Sequence, residues 1–150
     1  MNKISLHLAL ITLASPLWAE TTEGILPYTD PEAVANGRAI YEAQCAACHG
    51  IDLAGEENWR DRDADGYLPA PPHDETGHTW HHPDTQLFMI TKLGTAAIVG
   101  NGYKSNMMGF GEMLSDQQIL EVLAYIKSTW PRRVLETHNR INHAATGQSD

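Results

Sequence analysis

The chain is short of cysteine, of basic residues and of long apolar runs, and each shortage removes a class of function. Its 150 residues include two cysteines, Cys45 and Cys48. A structural zinc site needs two further protein ligands, and no second cysteine pair exists to supply them. There is little strand signal around residue 45, so a thioredoxin-like redox pair lacks its usual strand–helix setting. Ten bases stand against nineteen acids, a net charge of −9. Nucleic acid is therefore excluded as a partner, because binding it means neutralising phosphates with Lys and Arg. A basic docking surface on another protein suits this charge better. Beyond Glu20 no segment approaches the ~20 apolar residues of a membrane span, and there are no internal repeats.

The one apolar run is at the start. Met1-Asn2-Lys3 leads into Ile4 to Trp18 and then Ala19-Glu20. A basic opening, a short apolar stretch and a small residue at the cut read as a secretory signal peptide over residues 1–19. Leu17 is large for its place three residues before the cut, which leaves an uncleaved anchor as the alternative. Removal of Lys3 with this segment takes the net charge to −10, with 9 bases against 19 acids. The expected organisation is a lead-in at residues 20–30, one domain over residues 31–131, and a tail at 132–150 that is helical in part. Export to the periplasm makes the mature protein soluble in this reading.

In an oxidising compartment two free thiols three residues apart tend to close into a disulfide. Cys45-Ala46-Ala47-Cys48-His49-Gly50 offers a different use for them. Cys-x-x-Cys-His is the signature of c-type haem attachment. One short turn lets Cys45 and Cys48 bond the two vinyl groups while the imidazole of His49 swings under the iron. An electron carrier needs a second strong axial ligand, often Met, which raises the potential. Met107 and Met108 lie in a Gly-containing loop, Ser105 to Leu114, where a helix stripe cannot bury both. Met89, in an apolar helical segment, reads instead as core filler.

Gly37 to Tyr41, Cys45 to Gly50, and Met107 through Trp130-Pro131 resemble a monohaem class I cytochrome c of the bacterial periplasm. The family's ligand loop reads Met-Pro-x-Phe, followed by a Leu-Ser-Asp helix start and an "AYIKS-W" ending. Here the loop is Met107-Met108-Gly109-Phe110, then Leu114-Ser115-Asp116, then Ala124 to Ser128 and Trp130. Matching register gives the iron to Met107, with Met108, in the family's proline position, as the alternative. The resemblance implies an all-α cytochrome c fold, three main helices around one covalent haem c. It also implies that the other N–H of His49 goes to a downstream proline carbonyl, for which Pro69, Pro71 and Pro72 are candidates.

The helices have their own signals. Asp30-Pro31-Glu32 is a helix start, with Val34, Gly37, Ile40 and Tyr41 at helical spacing behind it. Ser115 with Gln118 forms a capping box ahead of the stripe Ile119, Val122, Leu123 and Ile126. A third helix is expected from Pro83 to Leu93, with Leu87, Ile90 and Leu93 inward and Gly94 ending it. In the family the first and last helices cross closely, and Gly37 has the size for it. After Pro131, Val134, Leu135, His138 and Ile141 suit one short amphipathic helix.

Residues 51–82 match the family poorly. This irregular Pro- and His-rich insertion holds eight of the nineteen acids. Asp61 to Gly66 opens like a calcium loop, D-x-D-x-D-G, but its twelfth position is Pro72 where a closing Glu is needed, so a solvated acidic loop is the expectation. His73, His78, His81 and His82 fall within ten residues and admit three readings. They are surface groups titrating near neutrality, or ligands for Cu(II) or Zn(II), or Trp80 and His81 donate hydrogen bonds to the haem propionates.

The function expected is a soluble periplasmic one-electron carrier, not an enzyme, with iron held by His49 and Met107. Partners would be redox proteins with a basic docking surface, among them a membrane-bound oxidase or dehydrogenase. Exchange with such a partner slows as ionic strength rises, and a rate indifferent to salt would count against electrostatic docking. Two alternatives stand beside it: a haem enzyme or gas sensor with an open axial position, and a copper-handling protein built on His73 to His82.

Overall fold

The computed structural model describes residues 24–147, so the segment read as a signal peptide lies outside the described residues. Among the described residues there are helices and turns but no strands, and no helix is long and apolar enough to cross a membrane.

Helix α1, Pro31–Gln44, begins as its sequence dictates. The Asp30 carboxylate accepts the Glu32 N–H at 3.0 Å, and Pro31 occupies the first helical position, where its missing N–H costs nothing. Its buried line is Ala33, Gly37 and Tyr41, so Val34 and Ile40 sit half-buried beside the stripe. A tight turn at Cys45 leads into the one-turn helix α2, Ala46–His49. Helix α3, Asp84–Leu93, and the short α4, Thr95–Val99, are separated by Gly94, whose φ of 87° breaks the run.

Helix α5, Asp116–Ser128, carries the expected reciprocal cap: Ser115 Oγ accepts the Gln118 N–H at 3.3 Å and Gln118 Oε1 accepts the Ser115 N–H at 2.9 Å. Ile119, Val122, Leu123 and Ile126 are all buried, as their spacing requires. Helices α1 and α5 form the most extensive pairing in the fold. They meet at Gly37, where an added methyl would overlap the Glu121 carbonyl. The glycine is thus a contact point between two backbones rather than a weak helix position.

Two expectations for α3 fail for one reason. Leu93 is 47% exposed and Met89 41% exposed, whereas Asp84, Leu87 and Thr91 are buried. At about 100° per residue, Met89 and Leu93 fall roughly half a turn from that buried line. Polar Asp84 and Thr91, not the apolar pair, face inward.

Helix α6, Arg132–Ala145, is as long as α1. It packs on the 3₁₀ turn Thr79–His81 and against the lead-in, and it seats a buried polar cluster. Asp84, 2% exposed, accepts the N–H groups of Ile25 and Leu26 at 2.8 and 3.2 Å, and its own N–H donates to Asn142 at 2.8 Å. The Lys127 ammonium lies 3.9 Å from Asp84 and 4.4 Å from the centre of the Tyr28 ring. His138 Nε2 donates to the His82 carbonyl at 3.0 Å and lies 3.3 Å from Asp84. This cluster ties the lead-in, α3, α5 and α6 to one another.

Candidate functional site

The turn at the end of α1 gathers Cys45, Cys48 and His49. Tyr41, fully buried, donates its hydroxyl to the Gly50 carbonyl at 2.8 Å and so pins the end of α2 back onto α1. Gly50, with φ of 77°, ends α2 and turns the chain into the insertion. Cys45 and Cys48 are unbridged, the first half-buried and the second exposed. Burial, with a smaller push from Cys48, raises the Cys45 thiol to about 11, so it is a neutral thiol at physiological pH.

His49 is buried, 7% exposed, and its Nδ1 lies 2.8 Å from the Pro71 carbonyl oxygen. A carbonyl only accepts, so Nδ1 carries the proton and Nε2 keeps a lone pair. Of the three candidate prolines, Pro71 is the partner. Burial lowers the basicity of the ring, and the Pro71 bond partly restores it. One face of the ring is covered by His73, whose centroid is 4.0 Å away at an interplanar angle of 25°.

The methionine loop is built on the far end of α3. The N–H groups of Phe110 and Gly111 donate to the carbonyls of Thr91 and Lys92 at 2.9 and 3.0 Å, satisfying groups that a helix end leaves unpaired. Met108 pairs with Gly94 in an isolated antiparallel bridge. Consecutive residues of an extended segment point to opposite sides. Accordingly Met108 is 60% exposed, while Met107 is half-buried and donates its N–H to Ser105 Oγ at 3.1 Å.

The histidines of the insertion disperse instead of converging. His73 stacks on His49, His78 on Trp59 at 5.4 Å, and His81 lies tilted against Trp80 at 3.8 Å, while His82 meets the edge of His78. No group of three His, Cys, Asp or Glu among the described residues is placed to hold a metal ion. The acidic loop is closed by its own backbone: Asp63 Oδ1 accepts the N–H groups of Asp65 and Tyr67 at 3.0 and 2.8 Å. Trp80 gives its indole N–H to the Glu75 carbonyl at 3.3 Å, and His81 is exposed.

Sequence reasoning grouped His73 with its neighbours along the chain and missed its place on His49. The signal that separates it is its distance from Pro71, two residues, which delivers both to the same imidazole. The Asp84–Lys127 cluster was missed as well, although a lysine next to Ile126 in an apolar helix was its sign.

Residues 34–130 match the model of the family described as Cytochrome c. A curated relative, the cbb3-type cytochrome c oxidase subunit FixP of Sinorhizobium medicae (strain WSM419), is 26% identical over 103 residues. That stretch is 68% of this chain and 32% of the relative, so the chain spans about a third of that protein's length. No solved structure matches the chain.

Proposed function

The chain belongs to the cytochrome c family, as a class I c-type cytochrome that holds haem c covalently and uses it for electron transfer, and on that footing we propose a one-electron carrier of the periplasm with iron bound between His49 and Met107. Haem supplies a reversible one-electron couple at iron. The donor set of this chain fits it. Cys45 and Cys48 are unbridged thiols on one turn, the spacing that thioether attachment requires. The observation that carries the reading is the 2.8 Å bond from His49 Nδ1–H to the Pro71 carbonyl, which fixes the tautomer with its lone pair on Nε2 and raises the ligand's basicity.

Met107 is favoured over Met108 as the second ligand by burial and by direction. Met108 projects outward from its pairing with Gly94, and Met107 turns to the other side. With His49 and Met107 as two permanent protein ligands, a bound haem would keep much the same coordination in both oxidation states and would supply a couple with little rearrangement. The excess of acids favours a redox partner with a basic docking surface. A membrane-bound oxidase or dehydrogenase is such a partner, and the relative's name, an oxidase subunit, points the same way. Residues 1–19 would direct export.

The test is the visible spectrum of the holoprotein, ferric and ferrous, with and without carbon monoxide, for wild type, Met107→Ala and Met108→Ala. Wild type and Met108→Ala should be low-spin and inert to carbon monoxide, and Met107→Ala should bind it. Carbon monoxide binding by wild type would overturn the carrier and favour an enzyme or sensor with an open axial position.

A further inference from the structure

We propose that His73 is a positioning residue for His49: its imidazole, stacked on the face of the His49 ring, acts with the Pro71 carbonyl to set the rotation of that ring about the axis through Nε2. The proposal rests on the reading of His49 as an axial ligand.

The hydrogen bond to Pro71 supplies one restraint on this rotation, because its acceptor lies off the line that enters the ring at Nε2. The torsion between Cβ and the ring adds little, because such torsions have broad minima. A flat body against the face adds a second restraint, since the ring cannot turn without closing on it. His73 provides one, at 4.0 Å and 25°.

His73 is itself held at four points. Its Nδ1 shares a hydrogen bond with Thr79 Oγ1 at 2.8 Å. Its backbone N–H donates to the Leu53 carbonyl at 2.8 Å, and its carbonyl accepts the Trp130 indole N–H at 2.7 Å. The Tyr41 ring meets it edge-on at 6.2 Å. Leu53, the acceptor, is a buried branched residue at φ of 66°, a left-handed backbone that such side chains avoid and that only an over-determined surrounding retains. The turn that follows α5, through Trp130, and the insertion, through Leu53 and Thr79, thus meet at one residue whose ring touches His49.

The plane of an axial imidazole governs how unpaired spin is distributed over a ferric haem, so the proposal has a spectroscopic signature independent of electron-transfer rate. Holoproteins of wild type, His73→Leu, His73→Phe and Thr79→Val are to be compared by ferric electron paramagnetic resonance and by the proton shifts of the haem methyl groups. Carbon monoxide inertness serves as the check on ligation. His73→Leu, which fills space without a flat face, should remain low-spin and inert while the g-value spread and the order of the methyl shifts change. His73→Phe, which restores a flat ring, should lie nearer wild type. Thr79→Val frees the His73 ring without removing it and should move the same signals in the direction of His73→Leu; if His73→Leu fails to accumulate with haem, this variant decides. Wild-type g values and methyl order in both His73→Leu and Thr79→Val would overturn the proposal alone. A wild type that binds carbon monoxide and shows no His49-dependent low-spin signal would overturn the axial reading and this proposal together.

Discussion

The buried pair of Asp84 and Lys127 allows a quantitative test of what holds α6 and the lead-in to the core. The two groups are 2% and 0% exposed at their side chains and 3.9 Å apart. At that separation and an effective dielectric of about 20, their attraction is roughly 4 kcal/mol. Breaking a buried pair by removing one member typically costs ~3–5 kcal/mol, because the survivor is left uncompensated. Lys127→Met leaves the carboxylate with the N–H groups of Ile25 and Leu26 and with His138 beside it, and Asp84→Asn removes the charge that faces the ammonium 3.9 Å away. Each single variant should therefore lose free energy on the scale of that range. The double variant should be more stable than the sum of the singles predicts, by at least ~1 kcal/mol. Guanidinium unfolding of the ferric holoproteins, followed by tryptophan fluorescence, gives all the free energies needed. A loss under ~1 kcal/mol for Asp84→Asn, together with strict additivity, would refute the claim that this pair is an energetic tie.

Gly37→Ala should lose ~1–3 kcal/mol or more, since its methyl meets the Glu121 carbonyl and the two helix backbones must part; an unchanged thermal midpoint would show that they can. Burial, reinforced by the nearby Lys127 charge, lowers the pKa of His138 below its usual 6.5, with Asp84 and the His82 carbonyl partly opposing. The folded protein then binds fewer protons than the unfolded chain once the pH drops below 6.5, so stability falls on acidification through that value, by at most ~1.4 kcal/mol per pH unit for this one group. His138→Gln should make the denaturant midpoint less dependent on pH in that window, and parallel curves for the two proteins would remove His138 as the cause.

What could be read from the sequence was what short-range chemistry decides. Asp30 and Ser115 cap helices through contacts two and three residues away, and Cys45, Cys48 and His49 share a single turn. Gly37 was legible because its small size has few other uses in a helix. The inward face of α3 was not, since it depends on Ile25, Leu26 and Asn142 reaching Asp84 across 58 or 59 positions of chain. Hydropathy put Met89 and Leu93 inside, whereas a charge satisfied from three other segments took that place. The choice among Pro69, Pro71 and Pro72 was closed for a similar reason, for it follows from where the insertion pairs with itself.

That pairing gives residues 51–82 a purpose that resemblance to the family left blank. The His73 N–H to Leu53 O bond and the Glu56 N–H to Ala70 O bond, both 2.8 Å, fold the segment back on itself. The doubled chain presents the Pro71 carbonyl to His49 Nδ1 and the His73 ring to its face. An aliphatic stretch could have offered the same backbone carbonyl, but not a flat ring two residues beyond it. The density of proline and histidine is thus accounted for in part by stiffness and shape beside one imidazole. The histidines farther along make ring contacts of their own, His78 stacked on Trp59, His82 edge-on to His78 and His81 tilted against Trp80.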